Sequence, residues 1–154
     1  MRLGAVAVLA LVATGCRGAP PHAAHAPCVH EGRLGTQSSL GGKPVPGFLN
    51  PTLFHLTNMW LAKRRGVYLD VYAGAPTAAP RRGALVVIWT DPRLGTPDHR
   101  SGLFSAGKET GPLELTGACG SLVLFRYRGG SGVFDLARRR FRLASVVNAS
   151  GAER

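Results

Sequence analysis

Between residues 28 and 144 apolar and polar positions mostly alternate, and glycine interrupts the alternation every eight to twelve residues. Such a period predicts strands, because successive side chains of an extended chain point to opposite faces. Residues 67–73 (VYLDVYA) alternate and stop at Gly74. Residues 84–90 (ALVVIWT) are instead continuously apolar and end at Asp91-Pro92, which predicts a central strand covered on both faces. Residues 113–116 and 121–128 predict two more strands, separated by residues 117–120. Gly129-Gly130-Ser131-Gly132 predicts a hairpin turn into residues 133–136, since glycine supplies positive φ, and residues 140–143 close the set.

Residues 50–63 support two readings. As a helix, Asn50 caps, Pro51 takes the first helical position, and Leu53, Leu56 and Trp60 share a stripe. As a strand, Phe54, Leu56, Trp60 and Ala62 share one face. The expectation is a short helical turn near Pro51 and a strand from Asn58, with Arg64-Arg65-Gly66 looping into Val67. The fold class is all-β, a small antiparallel sandwich or partly open barrel of six or seven strands. At 154 residues the chain has the size of one domain, placed here at residues 28–144 with a polar tail at 145–154.

The N-terminus has a different pattern. Arg2 is followed by an uncharged run from Leu3 to Ala13 and then by Thr14-Gly15-Cys16. A cationic start, an apolar run of about eleven residues and small residues at its end form a secretory signal, too short to span a bilayer. With a cysteine directly after Thr-Gly, residues 1–15 resemble a bacterial lipoprotein signal. The resemblance implies lipidation of Cys16 and attachment to the extracytoplasmic face of a bacterial membrane. Ala13 stands where that family usually carries leucine. Ordinary secretion, with cleavage after Ala26 in Ala24-His25-Ala26, is the alternative. Residues 17–27 (RGAPPHAAHAP) read as a tether.

Of three cysteines, Cys28 and Cys119 remain once Cys16 takes the lipid, and an exported pair is a disulfide candidate. Closing a loop of about ninety residues would stabilise the fold by roughly 4–5 kcal/mol in the chain-entropy model. Buried free thiols are the other reading. The chain carries 19 basic and 8 acidic side chains, for a net charge of +11. Loss of residues 1–15 removes only Arg2, leaving +10. This charge favours anionic partners such as lipid headgroups or cell-wall polymers. The 16 arginines against 3 lysines also fit GC-rich coding.

Candidate chemistry is sparse. His22, His25 and His30, with Cys28 and Glu31, have ligand types for a borderline metal but no fixed frame. Arg126 with Arg128, and Arg138, Arg140 and Arg142, lie at strand spacing, so the glycine hairpin would join them into one cationic stripe able to grip phosphate. The competing reading is a solvated edge protected by charge. Phe125, Tyr127, Phe134 and Phe141 alternate against these arginines and are assigned to the core, which with an extracytoplasmic address argues against nucleic acid. His55 alternates with apolar neighbours, as a core or edge histidine would. Asp98, His99 and Ser101 supply hydrolase residue types in a loop, without a nucleophile elbow.

Asn58-x-Trp60, Gly66-x-Tyr68, Val71-Tyr72-Ala73-Gly74, Pro80-x-x-Gly83 and Phe134-Asp135 resemble a pattern in small exported bacterial β-proteins of uncharacterised function, covering residues 58–143. That resemblance implies the all-β fold and no activity; Arg81-Arg82 departs from it in a turn that is otherwise more neutral. The sequence thus leads to a monomeric, membrane-anchored lipoprotein without cofactor. Its domain is read as a non-catalytic binding or envelope-structural module with a basic face. A small secreted hydrolase and a metal-binding lipoprotein are the alternatives.

Overall fold

Two antiparallel sheets stack face to face in the computed structural model, which describes residues 32–37, 49–107 and 109–145. The signal, Cys16, the tether with its histidines, Cys28, Glu31 and the tail beyond Ser145 lie outside these residues. The first sheet runs β1 (Arg33–Gly35), β2 (Phe54–Arg64), β3 (Val67–Pro76), β4 (Ala84–Thr90) and β5 (Gly102–Ser105) in chain order. The second runs β6 (Glu114–Cys119), β7 (Leu122–Tyr127), β8 (Gly130–Asp135) and β9 (Arg140–Ser145), also in order. The fold is a small all-β sandwich and not a closed barrel. Nine strands are present among the described residues instead of six or seven. The two additions, β1 and β5, are edge strands of three and four residues, too short to show a period.

The hairpin of β2 and β3 turns through Arg65 and Gly66, whose φ values of 48° and 80° are both positive, as a two-residue turn matched to strand twist requires. Residues 84–89 of β4 are buried on both faces, as the continuous apolar run predicted. Between the sheets Trp60, Val71, Leu85, Val87, Leu115, Val123, Phe125 and Phe134 form the main core. The other face of the first sheet buries Leu49, Phe54, Met59, Tyr72, Val86 and Ile88.

Two sequence expectations are corrected. A hydrogen-bonded turn does form at Pro51, with the amides of Leu53 and Phe54 donating to the Asn50 carbonyl at 2.8 and 2.9 Å, but the strand begins at Phe54. The register then shifts between Leu56 and Asn58. One extra residue inverts the alternation, so Phe54 and Leu56 share the outer cluster with Met59, while Trp60 and Ala62 turn inward. The second correction concerns the glycine run. The β7–β8 turn is only Arg128–Gly129, and Gly130 to Gly132 belong to β8. A Cβ at Gly132 would lie 2.6 Å from the Phe125 ring, so glycine here admits an aromatic side chain.

Candidate functional site

Strand pairing arranges the outer face of the second sheet in three rows. Glu114, Arg126, Ser131 and Ala144 form one; Gly117, Leu124, Val133 and Arg142 the next; Cys119, Leu122, Asp135 and Arg140 the third. The middle of this face is a shallow concavity of about 390 Å³, lined by Thr116, Leu124, Ser131, Val133 and Arg142. The aromatic residues turn the other way. Phe134 meets Phe104 at 5.0 Å and Phe141 at 4.8 Å between centroids, and Phe125 packs edge-on to Phe141. None of these rings offers a stacking platform beside the arginines.

The five arginines do not make a single stripe. Arg126 is held by Glu114 in a bidentate pair, Nε to Oε2 and Nη2 to Oε1 at 2.8 Å each, which leaves that row with no net charge. Arg138 lies in the β8–β9 turn, where its Nη1 donates to Asp135 Oδ2 at 2.9 Å. Asp135 is itself buried; its Oδ1 accepts the backbone amides of Ala137 and Arg138. The Arg138 guanidinium and these amides hold its carboxyl below the usual carboxylate range. Arg128 sits in the β7–β8 turn, at the opposite end of the sheet from Arg138.

Arg140 and Arg142 remain. They are exposed, lie about 7 Å apart on the same face of edge strand β9, and have no side-chain hydrogen bond or ion pair among the described residues. Arg139, exposed beside them at a φ of 54°, extends the cationic edge. Sequence reading left Arg139 out because it falls on the opposite parity. The run Arg138-Arg139-Arg140 was the available signal, since a turn releases its residues from strand alternation.

The loop between β4 and β5 builds structure from its hydrolase residue types. Ser101 Oγ accepts the Trp89 amide at 3.0 Å and donates to the Trp89 carbonyl at 3.3 Å, so its hydroxyl prolongs the pairing of β4. Asp98 binds the backbone and the guanidinium of Arg100, both at 2.8 Å, and its Oδ1 lies 3.0 Å from His99 Nδ1. The hydrogen bond from Arg100 lowers the Asp98 pKa to about 2. Arg100 also stacks over Trp89, 5.8 Å from the ring centroid. His55 is exposed on β2, outside the stretch Met59 to Leu61 that β1 pairs with, so it takes the edge position and not a core one.

Among the described residues no group of three or more His, Cys, Asp or Glu side chains could hold a metal ion. The histidines of the tether lie outside them. No described helix is long and apolar enough to cross a membrane. Cys119, the last residue of β6, is half-buried and engaged. No family model, curated protein or solved structure matches this chain.

Proposed function

We propose that the chain is a bacterial lipoprotein, anchored to the extracytoplasmic face of a membrane through lipid on Cys16. Its β-sandwich serves as a non-catalytic binding or envelope-structural module that meets anionic headgroups or wall polymers. The observation that carries the binding role is the pair Arg140 and Arg142. Both face outward beside an apolar concavity, and no carboxylate neutralises them among the described residues. Anionic surfaces supply the missing counter-charge, at about 1 kcal/mol for each near-surface arginine.

A Cys28–Cys119 bridge belongs to the same proposal. Cys28 precedes β1 by five residues, a reach of roughly 17 Å, and β1 packs near β6, the strand that ends in Cys119. Cys119 is itself engaged. Such a bridge would staple the tether to the sandwich.

Two experiments test the proposal. Palmitate should label the wild type and not Cys16→Ser; label surviving that substitution contradicts the anchor. A soluble Cys16→Ser chain should sediment with phosphatidylglycerol vesicles at low salt and not with phosphatidylcholine. Replacing Arg140 and Arg142 by glutamine should weaken that binding about thirtyfold. Binding indifferent to salt and to anionic lipid removes the basic-face role.

A further inference from the structure

The opposite end of the sandwich, where the β7–β8 turn lies, gathers arginines from separate loops. Arg81 and Arg82 stand in the β3–β4 connection and Arg128 in the β7–β8 turn. Between them runs the β5–β6 connection, and Thr110 fastens all three. Its buried hydroxyl accepts the Gly83 amide and donates to the Gly111 carbonyl, both at 3.0 Å. The Thr110 carbonyl accepts the Arg128 amide at 3.1 Å, and the Gly111 amide donates to the Arg81 carbonyl at 2.8 Å. Two consecutive residues therefore bridge the backbones of Arg81 and Arg128. Gly111, at a φ of 67°, would place a Cβ 3.8 Å from that of Arg128, so glycine keeps a side chain out of this junction.

Arg81, Arg82 and Arg128 are exposed and have no side-chain hydrogen bond or ion pair among the described residues. Glu109, the carboxylate next to Thr110, is exposed and also without an ion pair there. Three long cationic side chains thus start from a fixed, hydrogen-bonded frame. Guanidinium forks on a rigid base suit the planar oxygen pairs of phosphate, and preorganised donors lose little freedom on binding.

We infer that this arginine pole, pinned by Thr110, is a binding site for a ligand bearing several phosphate groups. It shares no residue with the Arg140–Arg142 pair and stands without the anchor. Long-chain inorganic polyphosphate is the probe, titrated into the Cys16→Ser chain by calorimetry at moderate salt. Glutamine at Arg81, Arg82 and Arg128 together should weaken binding at least tenfold, the loss of about one charge-assisted contact or more. Glutamine at Arg33, Arg65 and Arg93 removes the same charge from the far end and should change binding by less than about threefold.

Equal losses in the two triple variants would overturn the site, since net charge alone would then explain binding; so would a wild type that takes up no polyphosphate. Phosphatidylglycerol vesicles separate the sources of phosphate. If the pole variant also loses vesicle binding, the ligand is a headgroup; if it loses polyphosphate alone, the ligand is a soluble or polymeric phosphate. Loss of vesicle binding in the Arg140/Arg142 variant, with polyphosphate affinity kept, leaves both sites standing independently.

Discussion

Asn58 on β2 and Leu115 on β6 exchange two hydrogen bonds across the sandwich: the Leu115 amide donates to Asn58 Oδ1, and Asn58 Nδ2 donates to the Leu115 carbonyl, each at 2.9 Å. Each lies at a place where its strand slips register. A bulge leaves backbone groups out of the ladder, and one side-chain amide supplies both missing partners from the other sheet. Asn58→Ala strands a buried donor and acceptor. It should lower unfolding free energy by about 2–4 kcal/mol in urea titrations; a change under about 0.5 kcal/mol would show that water replaces the amide.

Gly74 opposes Leu56 at the bulge of β2, and a Cβ there would lie 1.9 Å from the His55 carbonyl oxygen. Backbone cannot yield as a flexible side chain can. Gly74→Ala should cost more than about 2 kcal/mol, measured by denaturant midpoint. Gly102→Ala, whose nearest neighbour would be the Phe104 ring at 3.7 Å, is the control and should stay within about 0.5 kcal/mol.

Acid should destabilise the domain through Asp98 and Asp135. Both carboxyls are held below their unfolded values, Asp98 at about 2, chiefly by hydrogen bonds from Arg100 and Arg138. Depressed carboxylate pKa values give stability that is present above about pH 4 and lost as pH falls through the folded values. Thermal unfolding followed from pH 5 to pH 2 should therefore show a falling Tm, with a shallower fall in Asp135→Asn from a lower starting point. An equally steep fall in that variant would place the titration elsewhere.

Alkali acts through Tyr72. Burial first, then the nearby charge of Asp70 and a hydrogen bond to it, raise this phenol above the usual tyrosine range. A raised pKa means stability is complete below about pH 10 and lost as pH rises through the folded value. The absorbance of ionised tyrosine should accordingly include Tyr72 only when the domain unfolds. Tyr72→Phe should remove one tyrosine from the unfolding-linked step; an unchanged step would contradict the assignment.

Strand-rich architecture was legible because period two survives wherever one face is buried, and β4 was legible because burial on both faces leaves no polar position. Parity in β2 was not. An inserted residue at a bulge reverses every side chain beyond it, and Thr57 does not announce one. The glycines of β8 misled for a related reason: Gly132 makes room for the Phe125 ring, and sequence shows only that a side chain is missing. Arginine spacing on strands put Arg140 and Arg142 on one face, as the register of β9 does, but the partners that neutralise Arg126 and Arg138 depend on register and turn geometry. Five residues of the resembled pattern have architectural roles. Asn58 clamps the sheets, Gly66 makes a turn, Gly74 and Gly83 admit backbone, and Asp135 caps the last hairpin.

The proposed basic face is tested most directly by mapping amide chemical shifts of the ¹⁵N-labelled Cys16→Ser chain against phosphatidylglycerol nanodiscs. The expected result is perturbation concentrated on Leu124, Val133, Arg140 and Arg142, screened by added salt and absent with neutral lipid. Perturbation that bypasses β9, or none at all, would contradict the outer face of the second sheet as the surface that meets the anion.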